Sequence, residues 1–290
     1  MEEYNGRKVQ YMLCSDCNAN CKHCYINFRG RKDSKIAKNE LNLLKNKYDV
    51  RLNGAEILVN MEYLPLFKIV HQHYIMTNGM ALYMDPSKIT FLKENGINTV
   101  SLSCHFGIQS KISAVEIDIV RQVINMCNEK KVRVRLLTTL CKENVNNIEQ
   151  IIETSIKLGV EGIKFTNLIK QGNALEDSSI TPLDELDIIK ALESIEKIRK
   201  KIDKTTLLIE RCGSFGSGKL PSNFRCIAGD DLVVITPDNK VYPCVFLIQK
   251  EFQIGEFKNG RIILDKRWKN NGKLCLAKKI CNEVNKLEMC

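Results

Sequence analysis

Residues 17–24 read CNANCKHC, which places Cys17, Cys21 and Cys24 at spacing C-x3-C-x2-C near the start of the chain. Thiolates this close on one loop can hold an iron–sulfur cluster or zinc, because soft sulfur ligands select those metals. The count constrains further. A structural zinc takes four protein ligands, and so does an electron-transfer cluster. Three thiolates leave one iron of a four-iron cluster open to a substrate or cofactor. The competing reading is a zinc site completed by Cys14 or His23. Cys14 stands at a strand end, where a free cysteine packs as a small hydrophobe.

The chain has 290 residues, enough for one large domain or one plus a small one. Its hydrophobic fraction of 44% suits a globular protein with a buried core. No apolar run approaches the ~20 residues that span a bilayer. The opening MEEYNGRK lacks the basic-then-apolar layout of a signal peptide. The expected location is the cytoplasm, where thirteen cysteines read as metal or redox ligands rather than disulfides. The net charge is +10, from 44 basic and 34 acidic residues. The basic runs fall on helix faces (Lys197, Arg199, Lys200, Lys201) or just before a strand (Lys130, Lys131), as solvated charge does. No RNA-binding signature accompanies them, so nucleic acid is not an expected partner. An acidic substrate or an anionic electron donor is the next reading of the charge.

Periodicity organises the rest. Lys8–Cys14 reads as a first strand entering the cysteine loop. Apolar Ile36, Ala37, Leu41 and Leu44 mark a helix. Val50–Leu52, His73–Met76, Thr99–Cys104, Val132–Leu137 and Gly162–Leu168 read as further strands. Helices over Pro86–Glu94, Ala114–Glu129 and Val145–Leu158 separate the later ones, the last closed by Gly159. Thr181 is the expected N-cap of a helix running to about Lys201. Strands alternating with helices imply a parallel sheet with right-handed crossovers. Six units are too few for a closed eight-unit barrel, and functional groups are expected at the C-terminal strand ends.

The three-cysteine loop, set between a strand and this α/β alternation, resembles that of the radical S-adenosylmethionine superfamily. The resemblance implies an α/β fold, an open partial (β/α)6 TIM-like barrel over residues 1–205. It implies that Cys17, Cys21 and Cys24 bind a catalytic [4Fe-4S] cluster whose open iron chelates S-adenosylmethionine. His23 stands where the family prefers an aromatic residue. Asn53-Gly54-Ala55-Glu56 occupies the place of the family's Gly-Gly-Glu motif, with the second glycine lost. Gly54 and Glu56 are thereby expected near the cofactor's amino group, against the plainer reading of an ordinary strand-end turn. Asn78, in Thr77-Asn78-Gly79, and Ser103 fall at strand ends where the family meets the cofactor, with His105 in a place the family often gives to Asp. Thr138, Thr139, Asn144 and Asn167 are candidates of low specificity. A flavodoxin- or ferredoxin-type reductant is the implied electron source.

The C-terminal region changes character. Thr206–Glu210 leads to Cys212, and GSFGSGK after it reads as a flexible linker. Lys219 lies in no phosphate-loop register. Leu232–Thr236 and Lys240–Tyr242 form an expected hairpin across Pro237-Asp238-Asn239, drawing Cys226 towards Cys244. The spacing Cys226-x12-Asn239-x4-Cys244 resembles the auxiliary-cluster domain called SPASM, or twitch when shortened, with Asn for Gly. Both residues tolerate a left-handed backbone. The resemblance implies a domain over 206–290 holding an auxiliary [4Fe-4S] cluster on Cys226 and Cys244, completed from Cys275, Cys281 and Cys290. A zinc-ribbon-like staple is the plainer alternative. Cys127 and Cys141 read as ordinary thiols. Cys104 and Cys212 close strands and are candidate hydrogen-atom donors.

The resemblance implies a radical enzyme acting on a ribosomally made peptide by crosslinking, epimerisation or oxidation. A compact small-molecule dehydrogenase is the alternative, since sixteen residues before Cys17 leave no room for a leader-binding domain. A non-catalytic zinc or electron-carrier protein is the alternative of another class.

Overall fold

The computed structural model of the chain describes residues 2–203, 205–211 and 226–265. It opens on β1 (Glu2–Glu3) and β2 (Lys8–Met12), and the cysteine loop follows β2. β2 is the first of six strand–helix units and leads to α1 (Ser34–Leu44). β3 (Asp49–Asn53) precedes α2 (Leu64–Ile69), and β4 (Tyr74–Thr77) precedes α3 (Met80–Met84) and α4 (Ser87–Glu94). β5 (Thr99–Ser103) is followed by α5 (Gln109–Ile112) and α6 (Ile117–Glu129). β6 (Arg133–Leu140) pairs its unit with α7 (Ile148–Lys157), and β7 (Gly162–Asn167) with α8 (Asn173–Glu176) and α9 (Glu185–Arg199). β8 (Leu208–Arg211) ends the series. β9 (Leu232–Ile235), β10 (Lys240–Tyr242), β11 (Gly255–Lys258) and β12 (Arg261–Leu264) come last. No helix among the described residues is long and apolar enough to cross a membrane.

Side-chain alternation explains the layering. In β6, Val134, Leu136, Thr138 and Leu140 are buried, while Arg133, Arg135, Leu137 and Thr139 between them are not. Val134, Leu136 and Leu140 share one core with Val123 and Ile124 of α6, Ile151 of α7 and Leu192 of α9. Each such aliphatic side chain contributes about 1.5–3 kcal/mol on burial. The other face looks into the lumen of the curved sheet and keeps its polar groups. α1 follows the same logic, burying Ala37, Leu41 and Leu44 at helical spacing. Asp33 caps it by accepting from the Lys35 and Ile36 amides.

The strands form two ladders. β4 to β8 run parallel in chain order. β8 pairs with β7, so the barrel sheet extends to Arg211 rather than stopping at 205. The other sheet has the order β1-β12-β11-β10-β9-β2-β3. Within it β2 pairs in parallel with β3 on one side and with β9 on the other. The expected C-terminal hairpin is present, antiparallel, with Asn239 left-handed at φ 63°. It continues the sheet that contains the first barrel strand, crossing the boundary expected at residue 206. A second hairpin, β11–β12, turns on Asn259 and Gly260, both at positive φ. That Asn-Gly pair is a strong hairpin signal that the sequence reading passed over.

One helix start moves. α9 begins at Glu185 with Asp184 as N-cap, not Thr181. Asp184 and Asp187 cap each other reciprocally, which satisfies two exposed backbone donors at once. The Thr181 amide instead donates to Glu143.

Between β3 and β4 the backbone ladder is interrupted, and a side chain fills the gap. Gln72 is 2% exposed. Its Oε1 accepts from the Leu52 amide at 2.8 Å, and its Nε2 donates to the Leu52 and Tyr74 carbonyls. Gln72→Leu removes these bonds and leaves a buried amide and carbonyl unpaired. It is expected to cost about 2 kcal/mol or more in urea unfolding. A loss below about 0.5 kcal/mol, the level of a neutral surface change, would show that the seam does not rest on this amide.

Candidate active site

The cysteine loop leaves the C-terminal end of β2 and is fastened from three directions. The Ala55 amide donates to the Cys14 carbonyl and the Glu56 amide to the Asp16 carbonyl, both at 2.9 Å. From the β5–α6 connection, the Lys22 amide donates to the Ile112 carbonyl at 2.9 Å. From the segment after β7, Asn173 Nδ2 donates to Asn20 Oδ1 and to the Cys21 carbonyl. Gly172 lies against the same loop at φ 56°, where a Cβ would stand 2.7 Å from the Cys24 carbonyl oxygen. Only glycine fits that approach. The sequence reading stopped at Asn167 and missed Gly172 and Asn173. The signal was there, a Gln-Gly-Asn turn soon after the sixth expected strand.

The three thiols are electrostatic neighbours. Burial, and then the nearness of Cys21, push Cys24 up. Cys17 rises chiefly by partial desolvation, although its surface is exposed, with smaller contributions from Glu56, Cys21 and Cys24. Donors point at the sulfurs: the Ala114 amide to Cys21 Sγ at 3.3 Å and Asn78 Nδ2 to Cys17 Sγ at 3.6 Å. Such N–H···S contacts favour thiolate and tune the potential of a cluster. Cys14 does not join the set. It is fully buried in the main core, and burial pushes its thiol up to about 11. An added Cβ on Gly54 would lie 3.1 Å from its sulfur, so the glycine makes room for Cys14. His23 does not join either, since its Nδ1 faces the Ile112 carbonyl at 2.8 Å. Among the described residues, no three His, Cys, Asp or Glu side chains converge as ligands of one metal ion do. Three neighbouring thiols with no fourth partner among the described residues fit a four-iron cube, in which each thiolate meets its own iron.

Glu56 is 0% exposed, and its carboxylate is already engaged. It accepts from Thr77 Oγ1 at 2.9 and 3.0 Å, the Asn78 amide at 2.7 Å and the Leu58 amide at 3.2 Å. Burial raises its pKa and these donors oppose the rise. As placed, Glu56 organises the β4 end rather than facing solvent. Asn78, through its side chain, reaches both Cys17 and Asn18.

His23 and His105 meet edge to face, ring centroids 4.4 Å apart. The Thr139 amide donates to His105 Nδ1 at 3.1 Å, which leaves the proton on Nε2. Burial, helped by His23, holds His105 far below its usual value. Ser103 is half-buried at the end of β5. Its neighbour Cys104 points the other way, into the apolar core at 0% exposure, with its thiol pushed up to about 12 by burial. Alternation along the strand puts it on the helix side, away from the lumen expected of a hydrogen donor. Asn144 is fully buried and serves its own loop, accepting from the Cys141 amide and donating to the Thr139 carbonyl. It does not line the mouth. Cys127 and Cys141 are buried thiols.

In the C-terminal sheet the Gly229 amide donates to the Pro243 carbonyl, which lays the chain after Cys226 beside the residue before Cys244. Both cysteines are half-buried. Phe246 stacks edge-on against Tyr25 of the cysteine loop at 4.7 Å. Cys212, Cys275, Cys281 and Cys290 lie outside the described residues.

No family model matches the chain, and no curated protein matches its sequence. Solved structures match its fold. SuiB of Streptococcus suis bound to S-adenosylmethionine superposes at TM-score 0.70, with 16% identity over 86% of this chain and 63% of that one. SuiB bound to precursor peptide SuiA gives 0.67, with 15% identity over 84% and 61%. Native anSMEcpe with bound AdoMet (S-adenosylmethionine) and Cp18Cys peptide gives 0.63, with 16% identity over 87% and 77%. The chain thus spans less than two thirds of SuiB. Its fold is an α/β partial barrel like that of these S-adenosylmethionine-bound proteins.

The anchors of the loop can be tested in the metal-free protein. Gly172→Ala is expected to cost about 2 kcal/mol, from positive φ and the clash with the Cys24 carbonyl. Asn173→Ala, exposed, is expected to cost about 1 kcal/mol. Equal, negligible losses in urea unfolding would show the loop to be held elsewhere.

Proposed function

We propose that the protein is a radical S-adenosylmethionine enzyme that modifies a peptide. The carrying observation is the loop of three neighbouring thiols at the end of the first barrel strand, with N–H donors on two of them and no fourth ligand among the described residues. Cys17, Cys21 and Cys24 would hold the catalytic [4Fe-4S] cluster. When bound, that cluster supplies the electron that splits S-adenosylmethionine into methionine and a 5′-deoxyadenosyl radical, which takes hydrogen from the substrate.

The chain's own residues do the remaining work. The Asn78 side-chain amide donates to the Cys17 sulfur and the Ala114 backbone amide to the Cys21 sulfur. Glu56 fixes the Asn78 backbone, so its role is to hold that donor in place. His23, Gly54 and Ser103 offer ring, backbone and hydroxyl to the cofactor. The His23 ring is set by the Ile112 carbonyl and braced by His105. The apolar outer face of the barrel keeps water from the strands that carry these groups.

A peptide substrate draws support from the matched structures, which were solved with a precursor peptide and with Cp18Cys peptide. An auxiliary [4Fe-4S] cluster on Cys226 and Cys244, completed from Cys275, Cys281 and Cys290, would take up the electron that an oxidised substrate gives back. The contact of Tyr25 with Phe246 brings that region against the catalytic loop. Cys212 is the thiol left for hydrogen return. The net charge of +10 suits an acidic flavodoxin- or ferredoxin-type reductant.

Anaerobically reconstituted protein with dithionite and S-adenosylmethionine is expected to form 5′-deoxyadenosine. Cys17→Ala, Cys21→Ala and Cys24→Ala should each abolish it. Iron should approach about eight per chain with two clusters and about four with one. Wild-type protein loaded with iron yet silent under every reducing condition would end this reading.

A further inference from the structure

The barrel lumen contains a cavity of about 310 Å³, beneath the row of strand ends that carries the cysteine loop, Asn78 and Ser103. Met76 and Ser101 line it, two residues before Asn78 and Ser103 on the same strand faces. Two residues along a strand span about 7 Å, so the Met76 and Ser101 part of the lining lies that far below the mouth, while Lys164 stands in register with Leu137 and Ser103 at the mouth itself. Its volume is at the small end for ligand sites. It takes one residue-sized group, not a length of chain.

The lining is mixed, with Met76, Leu137 and Ile163 among polar groups that are largely unspent. Gln10, Asn53, Tyr74, Ser101 and Lys164 come from β2, β3, β4, β5 and β7 and converge on this space. None of these five side chains makes a hydrogen bond or ion pair among the described residues. Gln10 Oε1 is buried there without a partner. A folded chain does not ordinarily leave several inward polar groups unpaired, and a site that binds a polar group does.

Charge narrows the class. Three cations line the cavity: Arg51, Arg135 and Lys164. Arg51 is held by Asp49 at 3.0 Å and Arg135 by Glu161 at 2.8 Å. Half-buried Lys164 has no ion pair among the described residues. Glu210, the one acid on the lining, sits exposed on the next strand, opposite Lys164 in register. Lys164 Nζ, the Tyr74 and Ser101 hydroxyls and the Asn53 amide are all donors, the complement of a carboxylate.

We propose that this cavity is the specificity pocket for an acidic side chain, Asp or Glu, of the peptide substrate. The proposal rests on the peptide reading above and deepens it. Lys164 pairs with the incoming carboxylate, Tyr74 and Ser101 donate to its oxygens, and Glu210, beside Lys164 on the next strand, opposes it by like charge. The seated residue anchors the peptide while its backbone stays at the mouth, level with the cysteine loop. The overall positive charge of the protein steers such a peptide in the same sense.

The test is calorimetric titration of the full-length, reconstituted protein, without reductant, with N-acetyl-Gly-Glu-Gly-amide, its Gln and Lys analogues, and free glutarate. The Glu peptide should bind about tenfold or more tighter than the Gln peptide, the factor expected of one charge-assisted contact. Lys164→Gln should erase that preference, and Glu210→Gln should tighten the Glu peptide. Lys164 has no hydrogen-bond or ion-pair partner to lose among the described residues, so circular dichroism of Lys164→Gln should match wild type and the variant remains readable. Equal binding of Glu and Gln peptides, an unchanged preference in Lys164→Gln, or no binding of the Glu peptide at millimolar concentration overturns the proposal. Glutarate binding as tightly as the peptide overturns the peptide as its source. Failure of the enzyme reading is seen separately, as absence of 5′-deoxyadenosine from wild type in the reduced assay.

Discussion

β2 is the strand on which the molecule depends, because it is hydrogen-bonded in parallel on both edges. β3 on one side brings the barrel, and β9 on the other brings the C-terminal hairpins. The cysteine loop begins where this doubly held strand ends, so its first residues inherit a rigid origin. A buried polar joint locks the arrangement from behind. Lys32, 5% exposed in its side chain, pairs with Glu40 of α1 at 3.2 Å and donates to Asn239 Oδ1 at 2.6 Å. Asn239 Nδ2 returns a bond to Glu40, and the Tyr11 hydroxyl of β2 donates to the same carboxylate. Buried ion pairs are poor sources of net stability, but one whose partners all find bonds can fix register. Here it specifies how the hairpin turn meets β2 and α1.

The same economy governs the mouth. Glu56 is a buried carboxylate, which would be costly unpaired. The structure surrounds it with donors from the next strand end, and those bonds set the backbone at Asn78. Asn78 in turn reaches Cys17. A residue three positions past β3 thus reaches the cysteine loop through β4, by hydrogen bonds alone. His105 plays a comparable part on the other side, its tautomer fixed by the Thr139 amide and its ring braced against His23.

Much of this was legible in the chain. The alternation of strands and helices, the three-cysteine loop, the left-handed Asn239 and the order of strand ends all follow from local pattern. The misplacements have physical causes. Thr181 was outbid as N-cap by Asp184 because Asp187 could answer it reciprocally. Cys104 was read as pointing at the mouth, but the residue after a strand's last inward position faces the helices. Glu56 and Asn144 lie where such groups are expected, yet their hydrogen bonds turn inward, which residue type does not disclose. Gly172 and Asn173 were missed because their partners are about 150 residues away.

Sequence alone determined the three-cysteine loop and the fold class, since sulfur spacing and hydrophobic period are local properties of the chain. Tertiary structure decided the rest. Only three-dimensional packing could pair β9 with β2, let Gln72 stand in for a missing ladder, and bring Lys164 to the lining of a small cavity without an ion pair among the described residues. Each of those outcomes depends on which distant groups arrive first at a buried donor or acceptor, and linear order carries no record of that.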